Sequence, residues 1–212
     1  MAKKMLSVVA LVLGLGLIQI NAQESIVSGG VKVDANMSNF FLDNIPDMKS
    51  KMGLGTSIGG FSEITLFGGS SALRPELLLH YKNSTMETRA TGAEKHFQYI
   101  GVELPLYYMI QRNFPNGRLF IGAGLSVEFG IDARYKINGA DDIDLYKEYN
   151  GQKSEMRRWN PNGVIMTGYE FNNRLQITFS YKGNRVVNLL QNAENRAGMF
   201  NQSISLGLGY RF

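Results

Sequence analysis

Residues 201–212, NQSISLGLGYRF, alternate apolar with polar or small side chains and close on an aromatic ring. Successive side chains of an extended backbone point to opposite faces. Gln202, Ile204, Leu206, Leu208, Tyr210 and Phe212 therefore share one face, and Asn201, Ser203, Ser205, Gly207, Gly209 and Arg211 share the other. An apolar face opposed by a small or polar one, repeated along the chain and bordered by aromatics, is how a membrane-crossing β-barrel is written in sequence.

Working back from this segment, seven others carry the same period. Ile26 to Met37 sets Val31, Val33 and Met37 against Lys32, Asp34 and Asn36, and Gly53 to Phe67 sets Leu54, Ile58 and Ile64 against Ser57 and Glu63. Ala72 to Ser84 opposes Leu73, Leu77 and Leu79 to Arg74, Glu76, His80 and Lys82, while Phe97 to Ile110 opposes Val102, Leu104 and Leu106 to Glu103. Arg118 to Arg134 is the longest, with Leu119 through Ile131 alternating against Gly122, Gly124, Ser126, Glu128, Gly130 and Asp132. In Gly163 to Phe171 two phases are open, Val164 and Met166 or Ile165, Tyr169 and Phe171 on the apolar side, and with them the side on which Glu170 falls. Arg174 to Arg185 sets Leu175, Ile177, Phe179 and Tyr181 against Arg174, Gln176 and Lys182. A strand of about ten residues tilted by roughly 40° spans about 25 Å, the height of an outer-membrane apolar band.

The expected fold is all-β: an eight-stranded antiparallel up-and-down transmembrane β-barrel following a cleaved signal peptide. Residues 1–22 read as that signal, with Lys3 and Lys4, an apolar run from Met5 to Ile18, and small Ala22; residues 23–212 form the barrel domain. Connections near 68–71, 111–117 and 172–173 read as tight turns, and Ser38 to Met52, Thr85 to His96, Tyr135 to Asn162 and Val186 to Phe200 as long loops. Barrels of this kind keep short turns on the periplasmic side, so both termini are expected there. The final strand is expected to pair with the first.

Composition narrows the chemistry. The chain has no Cys, which excludes disulfides and thiolate metal sites. The formal charge of +4 includes Lys3 and Lys4, and no basic stripe with interleaved aromatics appears, so nucleic acid is not an expected partner. The charged face suits a closed interior: Lys32, Arg74, Lys82, Arg134, Arg174, Lys182 and Arg211 against Asp34, Glu63, Glu76, Glu103, Glu128 and Asp132, with His80 beside them. A soluble ligand-binding barrel would place its apolar faces inside instead. Eight strands leave room for side chains only, which argues against a diffusion pore.

The stretches GVKVDANMSNF (30–40), GGFSEITLF (59–67), LRPELLLHYKNS (73–84), YIGVELPLYYMI (99–110), GRLFIGAG (117–124) and SLGLGYRF (205–212) together resemble the PorT-like outer-membrane β-barrel family common in Bacteroidetes. The resemblance implies an eight-stranded barrel inserted by the barrel assembly machinery through a C-terminal aromatic signal, here Tyr210 and Phe212. Its founding member participates in protein secretion by the type IX system.

Of the residues that could carry chemistry, His80 is expected in the packed interior and His96 near the outer rim, neither with a clear Ser and acid partner. A structural role is expected for both; the competing reading is a lipid A-modifying enzyme. Gly53, Gly55 and Gly59 are read as small interior residues, not a phosphate cradle, because no helix follows them. Asp141, Asp142 and Asp144 lack the spacing of a calcium loop and read as a solvated acidic stretch. Arg157, Arg158 and Trp159 suit the membrane interface, with the arginines available to lipopolysaccharide phosphates. The overall expectation is a non-enzymatic structural or interaction protein without cofactor or metal, whose partners are outer-membrane lipid, lipopolysaccharide and envelope or secretion-complex proteins.

Overall fold

The computed structural model describes residues 26–43, 48–88, 94–137, 142–148, 154–184, 188–190 and 198–212. The expected signal peptide lies outside these residues. Eight long strands form the wall: β1 (Val27–Asp43), β2 (Met48–Leu66), β3 (Ser71–Thr88), β4 (Glu94–Phe114), β5 (Gly117–Ile137), β7 (Trp159–Phe171), β8 (Leu175–Gly183) and β9 (Gly198–Arg211). A two-residue strand, β6 (Ile143–Asp144), adds to β5. Every pairing is antiparallel, and consecutive wall strands are neighbours. Closure comes from β1 against β9, in register from Gly30 opposite Arg211 to Asp43 opposite Gly198. The expected pairing of the first and last strands therefore holds, and runs six residues further than Met37.

At one end the connections are short: a single 3₁₀ turn (Phe67–Gly69), the pair Pro115 and Asn116, and residues 172–174. At the other end lie the longer ones. Two of the four expected long loops are mostly strand, because β1 continues to Asp43 before β2 starts at Met48, and β3 continues to Thr88 before β4 starts at Glu94.

That extension has a physical cause. Along the lower part of the wall the apolar side chains face outward: Val31, Val33, Ile58, Leu104, Leu125, Ile165, Phe179 and Leu206 are all exposed. Near the longer connections the pattern inverts. Phe40, Met86, Phe97, Tyr99, Ala133 and Met199 point inward and form one buried cluster, while Lys51, Arg134 and Lys136 point out. A wall that meets lipid must be apolar outside, and a wall that meets water must be apolar inside. The outward-apolar period stops at the membrane edge although the strands do not.

Two bulges sit at this changeover, between Met52 and Thr56 on β2 and opposite Ile100 and Gly101 on β4. In the second, Ile100 faces Asp132 and Gly101 faces Gly130, leaving Ile131 as the extra residue. One extra residue moves every later side chain to the opposite face.

Aromatic rings border the apolar belt at both ends. Trp159 packs edge-on against Phe129 at 4.9 Å on the loop side, and Tyr169 with Phe171 (5.1 Å) and Tyr210 with Phe212 (6.0 Å) stand on the turn side. Two hydroxyls within the belt are satisfied by cross-strand carbonyls: Thr56 donates to Asp34 at 2.9 Å and Thr167 to Phe120 at 3.1 Å. Hydrocarbon offers no other partner.

The sixth expected strand now has one phase. Val164, Met166 and Glu170 point inward, and Ile165, Tyr169 and Phe171 point outward.

Candidate functional site

Inside the wall the side chains form four stacked layers. Nearest the turn end is an ion cluster: Arg118 forks Glu63 and reaches Glu170 at 2.8 Å, and Arg211 grips Glu170 through Nε at 2.9 and 3.0 Å. Gln176 donates to Glu170 at 2.6 Å. Above it lies an apolar layer of Ala72, Tyr107, Met109, Phe120, Val164 and Met166.

The third layer is charged again and occupies the middle of the barrel. Arg74 is fully buried; its Nε donates to Glu76 and its Nη1 to Gln176, both at 2.9 Å, and its guanidinium lies 3.7 Å from the centre of the Phe61 ring. Lys32 bridges Glu76 at 3.2 Å and Asp34 at 3.3 Å. Lys182 donates to Glu103 at 2.6 Å and Ser126 donates to the other oxygen of Glu103 at 2.7 Å. Lys82 contacts both oxygens of Glu128 at 2.8 and 2.9 Å. His80 lies between the two carboxylates, 2.8 Å from Glu128 and 3.6 Å from Glu103, with its ring stacked on Tyr99. The inner face of β9 is small to make room for this layer: a Cβ on Gly207 would lie 2.1 Å from an oxygen of Asp34.

The fourth layer closes the loop end. Leu145, Tyr146, Met156 and Leu189, all from the two long connections, pack into the cluster of Phe40, Met86, Phe97 and Tyr99. Backbone bonds hold them there: Leu145 donates to Ala133 at 2.9 Å, Arg157 to Leu189 at 2.7 Å and Leu189 to Met199 at 3.0 Å. Arg158 fastens this cap to the bulge. Its Nη1 donates to the carbonyls of Gly130 and Ile131 at 3.1 and 3.2 Å, and its guanidinium lies 4.2 Å from the centre of the Tyr146 ring. The chain can approach so closely because residue 130 is Gly; a Cβ there would lie 1.8 Å from the Tyr146 hydroxyl.

Comparison with known families agrees with this architecture. A family model described as outer membrane protein beta-barrel domain matches residues 9–212. The chain belongs to the outer membrane protein beta-barrel domain family. No curated protein matches it by sequence. Among solved structures, it is similar to Ail, the attachment invasion locus protein of Yersinia pestis, solved with the heparin analogue sucrose octasulfate. Identity is 13%, coverage 88% of this chain and 99% of that one, and the TM-score 0.44. Neisserial surface protein A is 14% identical, with coverage of 88% and 99% and a TM-score of 0.45. The outer membrane enzyme PagL is 15% identical, with coverage of 84% and 98% and a TM-score of 0.42.

In this outer-membrane β-barrel the sequence-predicted interior residues separate into two groups. Lys32, Asp34, Glu63, Arg74, Glu76, His80, Lys82, Glu103, Glu128 and Lys182 are buried in the barrel, and Arg211 lies at its turn-end mouth. Three expectations are corrected. Asp132 and Arg134 lie beyond the Ile131 bulge, so they face outward and pair with each other at 2.9 Å. Arg174 stands in the turn before β8, in the left-handed region at φ 68° and exposed, so it is not part of the interior network. Arg118 and Glu170 take the vacated roles. Glu170 is hidden by the open phase of its strand; Arg118 shares the parity of Gly122, Gly124 and Ser126, and that alternation already places it on the interior face.

With these changes six buried or partly buried cations, Lys32, Arg74, Lys82, Arg118, Lys182 and Arg211, face six carboxylates, Asp34, Glu63, Glu76, Glu103, Glu128 and Glu170. Equal numbers in direct contact are what a low-dielectric interior requires.

His96 faces outward near the loop-end rim, with Nδ1 3.2 Å from the Thr85 hydroxyl. Trp159 is exposed at the girdle and Arg157 is exposed beside it, whereas the Arg158 guanidinium is engaged in the cap. Asp142 is exposed and Asp144 accepts from the Tyr146 amide at 2.9 Å; Asp141 lies outside the described residues. Among the described residues no group of three acidic or His side chains could hold a metal ion.

Proposed function

We propose that this outer-membrane protein is a non-enzymatic structural or interaction component of the envelope, of the PorT-like kind, acting as an accessory to a type IX-like secretion assembly or to envelope integrity. The observation that carries this reading is the filled interior: a balanced charge network held between two apolar layers and capped by the long connections. A barrel packed in this way offers partners its rims and outer wall, because its axis is occupied by its own side chains. In this reading the turn end and both termini face the periplasm, since short turns gather at that end. Arg157 and Trp159 meet lipopolysaccharide at the opposite rim, and Tyr210 and Phe212 present the terminal aromatic strand to the barrel assembly machinery.

His80 supports the non-enzymatic reading by its surroundings. Its ring nitrogens face carboxylates, and Ser126 donates to Glu103 instead of pairing with the imidazole. A nucleophile activated by His needs that pairing.

Crosslinking in intact cells, followed by identification of attached proteins, tests the role. The expected products join the barrel's rims to envelope or secretion-complex proteins. Purified folded barrel is also expected to leave labelled lipid A unchanged and to give no steady ion conductance in planar bilayers. Conversion of lipid A, or a stable open-channel current, would overturn the proposal.

A further inference from the structure

At the turn end the barrel opens into a concavity of about 400 Å³, floored by Arg118, Glu170 and Arg211 and rimmed by Asn113, Asn172 and Arg174. Its floor is electrically closed, because Arg118 and Arg211 share Glu170, and Arg118 also forks Glu63. Arg174 is different. Among the described residues no side chain pairs with its guanidinium. Its position is nevertheless set by the fold: its carbonyl accepts from the Arg211 amide at 3.1 Å, and its amide donates to the Phe171 carbonyl at 2.8 Å. The backbone there is in the left-handed region at φ 68°, a conformation costly for a residue with a Cβ and one that Gly or Asn would adopt more readily.

The cavity thus combines one excess positive charge at the rim with two neutral amide side chains, Asn113 and Asn172. Asn172 donates one N–H to the Pro115 carbonyl at 3.0 Å and keeps its other N–H and its oxygen.

We propose that this concavity binds a carboxylate-bearing peptide from the compartment that the turn end faces, with Arg174 forking the carboxylate and Asn113 and Asn172 reading the adjoining amides. A single excess guanidinium matches a single negative charge, and its planar pair of donors matches the two oxygens of a carboxylate. Paired amide side chains supply both donors and acceptors, which peptide groups need and an inorganic anion does not. The volume suits a ligand of about two residues.

Titration of the folded protein in detergent with an N-acetylated dipeptide tests this, with calorimetry as the readout. The free-carboxylate peptide is expected to bind, and its C-terminal amide to bind at least about tenfold more weakly. Arg174→Gly removes the guanidinium while suiting the positive φ, so the barrel should keep its heat-modifiable migration and lose about tenfold in affinity. Equal binding of acid and amide, undiminished binding by Arg174→Gly, or absence of binding at millimolar peptide would overturn the proposal. Inorganic phosphate competing better than the peptide would also overturn it, by assigning the site to phosphate.

Discussion

Replacing Lys82 by Met is the sharpest test of the central charge layer. Lys82 is 3% exposed and touches both oxygens of Glu128, at 2.8 and 2.9 Å. At that separation and an effective dielectric constant of about 20, the direct attraction is roughly 6 kcal/mol. Taking both ions out of water offsets most of it, so the pair as a whole contributes little net stability. Removing one partner is another matter, because the cost of burying Glu128 remains. Its other contacts include His80 at 2.8 Å, the Tyr99 hydroxyl and a long bond from Asn201 at 3.4 Å. The expected loss for Lys82→Met is about 3–5 kcal/mol. Lys82→Met with Glu128→Gln should recover most of this, since neither buried charge then remains. The assay is urea unfolding in phospholipid vesicles, followed by the fluorescence of Trp159, the sole tryptophan, which stands at the girdle. A single variant within about 1 kcal/mol of the parent would refute the reasoning, as would a double variant less stable than the single one.

Ile165→Lys, on the outward face of β7, should cost about 2–4 kcal/mol in the same assay if it lies near the bilayer midplane; an unchanged midpoint would mean that the strand phase is wrong. Gly130→Ala should displace Tyr146 and loosen the cap, read as faster protease cleavage within 138–158 while the rest of the barrel stays resistant; parental cleavage rates would contradict the contact at 1.8 Å. Asp132→Ala and Arg134→Ala should each leave the unfolding midpoint unchanged, since that pair is exposed outside the barrel, whereas destabilisation comparable to Lys82→Met would return them to the interior. Deleting Phe212, whose amide donates to the Gly29 carbonyl at 2.8 Å and whose ring packs on Tyr210, should lower the fraction of heat-modifiable barrel recovered from cells, and unimpaired assembly would dismiss the terminal residue as a signal.

The inversion of polarity along the wall explains which parts of this molecule could be read early. Within the membrane, one rule holds for every strand: apolar outward, polar inward. Eight strands, three short turns, the closing pair and most of the interior charges follow from it, because lipid imposes the same demand at every position around the barrel. Beyond the girdle the demand reverses, and Phe40 and Met86 look like loop residues to a reader following the outward-apolar period. At the bulge, Asp132 and Arg134 keep the parity of interior residues in sequence while the extra Ile131 turns them out. Gly130 betrayed nothing of its part in seating Tyr146, since inward glycines abound in narrow barrels.

Residues 201–212 thus determined alone that one face meets lipid and the other does not, because period-two alternation is a local property of extended chain. Tertiary structure decided the rest. Which carboxylate receives which cation, that Arg118 and not Arg174 completes the lower cluster, and that the long connections fold back to cap the barrel all depend on contacts between residues far apart in the chain. Such contacts are set by the curvature of the closed wall, by an unpaired residue at a bulge and by the space left by a missing Cβ. Those quantities exist only once all eight strands are in place.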